Sequence, residues 1–429
     1  MNSVPAVALG RDLFNYFIMT ENKLQTVRGT KDLYGDDILK FNQIVDLARI
    51  LAGNYGFDEL QTPIFEFSEI FERNLGDASD IISKEVYKFK DRGDNFLTLR
   101  PELTAAVVRA FASNGELQQV LPQKFFSYGA VFRYDRPQKG RQRQFNQLNF
   151  EILGDSSYFS DIEAITLSIS LLENLGITDK TELQINSLGS GEAKKKYEEA
   201  LKDYFAQYFE DLSEDSKVRF EKNPLRILDS KNKNDIEICK KAPKIGDFYS
   251  EDERDRFEKV LAILDEMGIK YVVNPLLVRG LDYYTSLVFE FVMNDAGGAQ
   301  NTVLAGGRYD NLVEKMSGKS VPAIGFGAGV ERLMMLSELF EDEKQKIAAI
   351  YVDEAQKDAA FKTAIDLRNK AFDVDFFYDA NFKKQMKKAG QNKVRLAVII
   401  GGDEVANGVV NVKDFKDSSQ KNVKVEELE

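Results

Sequence analysis

The stretch FRYDRPQKGRQRQFNQLNFEILG, residues 132–154, packs Arg133, Arg136, Lys139, Arg141 and Arg143 into eleven residues of a chain whose net charge is −12. With its approach, KFFSYGAVFRYD, it alternates with the period of two that marks a strand. One face takes Ser127, Gly129, Val131, Arg133 and Asp135, and the bulky Phe126, Tyr128, Phe132 and Tyr134 take the other. The returning run QFNQLNFEILG sets Gln147, Asn149 and Glu151 on one face, with Asn146, Leu148, Phe150 and Ile152 opposite. The two runs read as a long hairpin joined by the basic loop RPQKGRQR. Arg133, Gln147 and Glu151 stand beside small residues, which leaves room for a ligand. A merely solvated face needs neither small neighbours nor so many aromatics behind it. An arginine on a rigid strand suits bidentate binding of phosphate or carboxylate. The loop cations suit a nucleic-acid backbone, although a lone basic loop is also common as plain surface charge.

Composition narrows the chemistry. The 429 residues suffice for two or three domains, and 43% apolar with 30% charged residues describes a globular chain. No run of 18 apolar residues is present, so no membrane span is expected. Residues 1–18 lack a basic start and an apolar core, so residues 1–23 read as a tail rather than a secretory signal, with Met19 as an alternative start. Cys239 is the only cysteine, which excludes an intrachain disulfide and a cysteine zinc site and fits a reducing cytoplasm. It reads as a small, partly buried thiol. The chain contains no histidine, so His-based triads, general bases and metal sites are excluded. Chemistry must then run on carboxylates, cations, tyrosines, substrate groups or Mg²⁺. The negative charge disfavours unspecific nucleic-acid binding but leaves local basic patches available.

Outward from the hairpin, the pattern divides the chain. Residues 24–190 mix helices and strands, with a helix over about 36–55, strands at 86–90 and 95–100, and a helix after RPELT. Residues 191–271 carry charged amphipathic runs at helical spacing and read as a helical insertion. Residues 272–340 return to strands and glycine-rich turns, and 336–346 is a charged linker. Residues 347–429 alternate strand and helix, a small α/β domain. Two more segments carry chemistry. LVRGLDYYTSLVFEF (277–291) reads as a strand bearing Arg279, Asp282, Tyr283 and Tyr284, or as an ordinary aromatic-rich strand. AGGRYDNL (305–312) precedes AIGFGAGVERLMML (323–336), where Gly325, Gly327 and Gly329 lead into a helix with Arg332. A dinucleotide fingerprint is rejected, because the acidic residue ending a second strand is missing. Small residues there let a planar base lie against the backbone with Arg332 over it. No GxxxxGK[ST] occurs, so Arg133, Arg279 and Arg332 suggest a nucleoside triphosphate site without a P-loop.

At these residues the chain resembles the class II aminoacyl-tRNA synthetases, and among them the histidyl-tRNA synthetases, over about residues 24–425. QTVRGTKDL and GFDELQTPIFE, with Pro63, resemble the family's start and motif 1. FRYDRPQKGRQRQFNQ resembles motif 2, GAGVERL motif 3, and RGLDYY and GGRYD the two histidyl signatures. The combination is highly specific where any one piece is not. The resemblance implies an α+β fold with a six-stranded antiparallel catalytic sheet, flanking helices, a helical insertion and a C-terminal anticodon-binding domain. It implies a cytoplasmic homodimer joined through motif 1, with ATP and Mg²⁺ as cofactors and L-histidine and tRNA-His as partners. By motif position, Arg133 and Arg279 approach the α-phosphate, while Arg332 and Asp135 join Arg133 in binding ATP. Glu102, Thr104 and Gln147 match positions holding the ammonium group; Glu151 and Tyr284 match those reading the imidazole, with Tyr309 in the pocket wall. Arg136 and Gln138 match positions reading the extra 5′ guanosine of tRNA-His.

Departures from the family are Asn146 where His is common, expected to matter little because it faces away from Gln147, and Leu103 where Gly is frequent. Two other readings stay open: a synthetase-like regulatory subunit of histidine biosynthesis without catalysis, and a prolyl or threonyl enzyme of the same class. The retained Arg133, Arg279, Arg332, RGLDYY and C-terminal domain argue against the first, and RGLDYY argues against the second, whose enzymes share the anticodon-domain type. That domain carries a helix with Lys383, Lys384, Lys387 and Lys388, either an RNA-facing surface or a plain solvated face.

Overall fold

The computed structural model describes residues 24–75, 85–118, 120–138, 140–189, 191–294, 302–338, 346–378 and 381–427. The expected tail, Lys139 and most of the charged linker lie outside these residues. Two compact units divide at residues 339 and 340.

In chain order the strands of the first unit are β1 (Asp58–Glu59), β2 (Phe65–Phe67), β3 (Tyr87–Lys90), β4 (Phe96–Leu99), β5 (Gln123–Phe132), β6 (Gln144–Leu153), β7 (Thr181–Ser187), β8 (Val272–Val273), β9 (Leu287–Met293), β10 (Thr302–Arg308) and β11 (Ala323–Gly329). The large sheet runs β1-β5-β6-β11-β10-β9-β7-β8. Its six inner strands are antiparallel to their neighbours, and the two-residue strands β1 and β8 extend it in parallel at either edge. The hairpin read from the sequence is the β5–β6 pair, in register from Gln123↔Leu153 to Phe132↔Gln144. Gly129 faces Gln147 and Ser127 faces Asn149, so the small residues do lie beside the polar ones. The strand stops at Phe132, leaving Arg133 and Asp135 just beyond it.

One face of the sheet is closed by helices. Asp36–Asn54 opens with Asp36 and Asp37, favourable beside a helix N-terminus, and buries Ile44, Val45, Ala48, Leu51 and Ala52 at helical spacing. Gly56, at φ 72°, follows its end in the left-handed conformation that glycine adopts without strain. Tyr158–Asn174 and Glu251–Glu266 pack beside it in the same core, with Leu148, Phe150, Ile152, Phe289 and Phe326 from the sheet. The other face holds a cavity beside a second core, in which Phe125, Leu153, Val288 and Ala323 are buried with Val107, Val108 and Phe111 of helix Thr104–Ser113. The residues between Ser187 and Val272 form helices Gly191–Ala206, Glu214–Lys222, Lys233–Cys239 and Glu251–Glu266 with short 3-10 turns.

A separate sheet, β2-β4-β3, presents Phe65, Phe67, Phe89 and Phe96 outward. Arg100 ties it to the hairpin: its guanidinium donates to Ala130 O at 2.9 Å and to Thr62 O at 2.9 Å.

The second unit holds β12 (Lys346–Tyr351), β13 (Asp373–Phe376), β14 (Leu396–Ile400), β15 (Val410–Asp414) and β16 (Gln420–Val423), ordered β13-β12-β14-β15-β16. The first three are parallel, as crossover helices require. Alternation along β12 sends Ile347, Ala349 and Tyr351 against helix Lys357–Asn369, and Ala348 and Ile350 against helix Phe382–Gln391. Lys383, Lys384, Lys387 and Lys388 are all exposed on the latter.

The segment 277–291 departs from the sequence reading. Only Leu287 onward is strand; Arg279, Asp282, Tyr283 and Tyr284 lie in the loop before it. The reason is visible in burial: the adjacent Tyr283 and Tyr284 are both buried in the same cluster, which a strand's alternation forbids.

Candidate active site

The open face of the sheet floors a cavity of about 670 Å³, whose lining includes Glu102, Arg133, Gln147, Arg279, Tyr284 and Arg332. Thr104, Asp135 and Tyr309 line it too.

The cations gather at one end. Arg133 donates from Nε to Pro101 O at 2.9 Å and lies over the Phe145 ring at 5.3 Å. Arg332 donates from Nε to Gly140 O at 3.1 Å and from Nη1 to Thr302 O. Burial weakens the charged form of Arg332, and the neighbouring Arg133 and Arg141 weaken it further. Burial does the same to Arg133, with Arg141 again adding to the effect against the pull of Glu85 and Glu102. Three guanidinium groups crowded in this way are strained toward an anion that would relieve them. Arg279 stands apart, donating to Glu290 Oε2 at 2.6 Å. Burial, the largest single influence, opposes its charge, but Glu290, Tyr284, Asp229 and Tyr283 together outweigh it and the net shift is upward.

The basic loop divides. Arg136 and Gln138 are exposed. Arg141 turns into the cavity, pairs with Asp135 and reaches Glu85 at 3.5 Å. Arg143 lies over the Tyr134 ring at 4.0 Å. The Gln138–Arg141 backbone pair folds the loop back, with Gly140 at φ 73°.

The other end is lined by carboxylates and phenols. Glu102 accepts from the backbone N–H groups of Thr104 at 2.6 Å and Ala105 at 2.8 Å, the free donors of helix Thr104–Ser113. Burial still raises its affinity for a proton. Leu103, which the sequence marks as a departure, is fully buried and gives its N–H to Gln147 Oε1 at 3.3 Å, so it leaves this arrangement intact. Tyr283 contacts Tyr284 and Tyr309, with ring centroids 4.7 and 5.5 Å away.

Glu151 differs from the sequence picture. It is fully buried and does not line the cavity. Thr104 Oγ1 at 2.5 Å, Asn149 Nδ2 at 2.6 Å and the Tyr309 hydroxyl all donate to it. Burial pushes its carboxyl up to about 8 despite these donors. The glycines of β11 serve it: a Cβ on Gly325 would meet the Glu151 carboxylate, and one on Gly327 would stand 2.5 Å from Gln147 Nε2. Their space is therefore filled by neighbouring side chains. Room for a flat group remains at Gly329, where a Cβ would meet only Arg332, at 3.9 Å.

Asn146 makes a contact that the sequence does not predict. It faces away from Gln147, but its backbone N–H and Nδ2 grip the Glu331 carboxylate at 2.9–3.0 Å. Glu331 precedes Arg332, so this contact fixes the start of the helix that aims the arginine. The sequence reading missed two further residues. Arg100 sits beneath Gly129, and Arg308 is buried against Asp161, Ser160 and two backbone carbonyls. Arg308 lies within GGRYD, beside the residue singled out there. Among the described residues no group of three or more His, Cys, Asp or Glu side chains is arranged to hold a metal ion, and no helix is long and apolar enough to cross a membrane.

Residues 29–333 match the family model "Histidyl-tRNA synthetase". The chain belongs to the histidyl-tRNA synthetase family. Residues 346–429 match "Anticodon binding domain". The family's curated members include the histidine–tRNA ligase of Wolbachia pipientis wMel, 48% identical over 92% of this chain and 96% of that protein. That of Gluconacetobacter diazotrophicus is 46% identical over 93% and 96%. Among solved structures, apo S. aureus histidyl-tRNA synthetase superposes with a TM-score of 0.78 at 31% identity, covering 94% of this chain and 98% of that one. The large antiparallel sheet with its helices is thus the class II synthetase fold.

Proposed function

We propose that the protein is a histidine–tRNA ligase that forms histidyl-adenylate from L-histidine and ATP and passes the histidyl group to tRNA-His. The observation that carries this is one cavity with two unlike ends, crowded guanidiniums at one and carboxylate, amide and phenol groups at the other. In the first step a histidine carboxylate oxygen attacks the α-phosphorus and the bond to the β-phosphate oxygen breaks, releasing pyrophosphate. In the second, the 3′-terminal ribose hydroxyl of the tRNA attacks the histidyl carbonyl carbon and AMP leaves.

Arg133 and Arg279 approach the α-phosphate from opposite sides and hold the charge that develops there. Arg332 takes the γ-phosphate and covers adenine, with Phe145 and Gly329 leaving room for the base. Asp135 joins the ATP site through Arg141, which it orients. Magnesium arrives with the nucleotide as part of the substrate and screens its phosphates.

Glu102, with lone pairs left after its backbone contacts, accepts the substrate ammonium together with Gln147 and Thr104. Tyr284 takes one imidazole nitrogen. Glu151 acts on the ring from behind the wall, by fixing Tyr309 and Thr104 or by turning outward when histidine enters. Buried polar partners of this kind reject side chains lacking the matching nitrogens.

Arg136 and Gln138, exposed on the hairpin loop, meet the acceptor end with its extra 5′ guanosine, and the lysine face of the second unit meets the anticodon. The apolar face of β2-β4-β3, where Phe65 and Phe67 are each 53% exposed, supports a homodimer formed there. A single buried cysteine fits a reducing cytoplasm.

Charging of tRNA-His transcripts with labelled histidine tests the reading. The full transcript is expected to be charged, and one lacking the 5′ guanosine to be charged at least tenfold more slowly. Absence of charging on either would favour the regulatory-subunit reading.

A further inference from the structure

The loop Arg279–Tyr284 carries two residues the proposed reaction depends on, yet no strand ladder holds it. Its backbone contacts come instead from the helical insertion. Arg226 Nη1 donates to the Arg279 carbonyl at 2.7 Å. Lys194 Nζ donates to the Tyr284 carbonyl at 3.1 Å. Between them, Asn223 Nδ2 donates to Asp282 Oδ1 at 3.1 Å.

The three donors come from two elements: Lys194 from helix Gly191–Ala206, and Arg226 with its capping residue Asn223 from the 3-10 turn Pro224–Asp229. Arg226 is 6% exposed, and burial weakens the charge on Lys194. Burying cations to hold neutral carbonyls is costly unless a counter-charge is present. Glu198 and Asp282 provide it for Lys194, and Asp282 for Arg226 as well: burial raises the proton affinity of Asp282, while Arg226 and Lys194 both pull it back. The turn also ends inside the cavity, where Leu228 and Asp229 join its lining.

We infer that the insertion is a strut that positions the Arg279–Tyr284 loop for amino-acid activation, with Arg226, Lys194 and Asn223 as its positioning residues. The inference rests on the proposed reaction for its kinetic consequences, but its structural part stands independently. Arg226 and Lys194 fix the two ends and Asn223 the middle of a loop in which a displacement of Tyr284 loosens histidine and a displacement of Arg279 slows the chemistry. Binding energetics are reciprocal, so filling the cavity also steadies the insertion.

Two readouts on the full chain test this. Amide hydrogen exchange without substrates should be about tenfold faster across residues 279–285 in Lys194→Met and Arg226→Met than in the unaltered chain, and close to unaltered in Lys194→Arg, which keeps the donor. In histidine-dependent pyrophosphate exchange, Lys194→Met should raise the histidine KM about tenfold with the ATP KM within about twofold, and Arg226→Met should chiefly lower kcat. Asn223→Ala, at a half-buried residue, gives the same loop readout should the charged-residue variants misfold. Unchanged exchange of the loop in folded variants overturns the strut, whatever the reaction. Loop exchange that responds as expected, in a chain that turns over no histidine, leaves the strut standing and overturns the proposed function.

Discussion

Replacing Glu151 with glutamine separates the two things this carboxylate does. In the native protein burial pushes it up to about 8, against a reference of 4.5. The folded-state value lies above the unfolded one, so the native state holds the proton more tightly. Stability from this source is complete below about 4.5 and gone above about 8. The full span is about 3.5 pKa units, on the order of 5 kcal/mol. Between pH 5 and pH 8.5 this one group should cost the unaltered protein about 4 kcal/mol. Glutamine has nearly the same shape. Its carbonyl oxygen still accepts from Thr104 and Asn149, and its amide nitrogen can donate to the Tyr309 hydroxyl, which turns. It carries no titratable proton, so Glu151→Gln should be close to neutral at pH 5 and the more stable protein at pH 8.5. Urea denaturation of both chains across that range measures the difference directly. Histidine activation should nonetheless fall in the variant, because the Tyr309 hydroxyl, turned to accept from the amide, no longer stands as it does in the native pocket wall. Parallel stability curves would refute the reasoning, since they would mean that the three donors keep Glu151 ionised throughout.

Two further outcomes follow from contacts around the arginines. Asn146→Asp sets a second carboxylate against Glu331 and should raise the ATP KM about tenfold by loosening Arg332, whereas Asn146→His, which keeps a ring N–H donor, should stay near the unaltered value in pyrophosphate exchange. Arg141→Ala should slow pyrophosphate exchange, because Arg141 lies inside the cavity, while Arg136→Ala should spare exchange and weaken only tRNA charging.

Much of the fold is legible because alternation and helical spacing are local. The β5–β6 hairpin, helix Asp36–Asn54 and the strand–helix alternation of the C-terminal unit all follow from patterns a few residues long. The open face of the hairpin is legible for the same reason: small residues sit opposite Gln147 and Asn149. What the pattern cannot carry is which space a neighbour fills. Gly325 and Gly327 look like room for a base, but Glu151 and Gln147 occupy it from the adjacent strand. The Arg279–Tyr284 segment looks like a strand by composition and is a loop because partners far away in sequence, in the insertion, hold it. Arg308 and Asp161 are invisible for that reason also: 147 residues separate a fully buried pair. Asn146 faces away from the substrate as its alternation predicts, and what the pattern does not carry is that this brings it onto Glu331. The absence of histidine costs the site nothing that the structure reveals. Its contacts are made by guanidinium, carboxylate, amide and phenol groups, and an asparagine amide makes the contact at position 146.

The most direct test is amino-acid-dependent exchange of labelled pyrophosphate into ATP, run with histidine, proline, threonine and the remaining amino acids singly. Exchange with histidine alone, abolished by Arg279→Ala in a chain that still folds, is the predicted result. Exchange with proline or threonine, with no amino acid at all, or undiminished in the Arg279→Ala protein would contradict it.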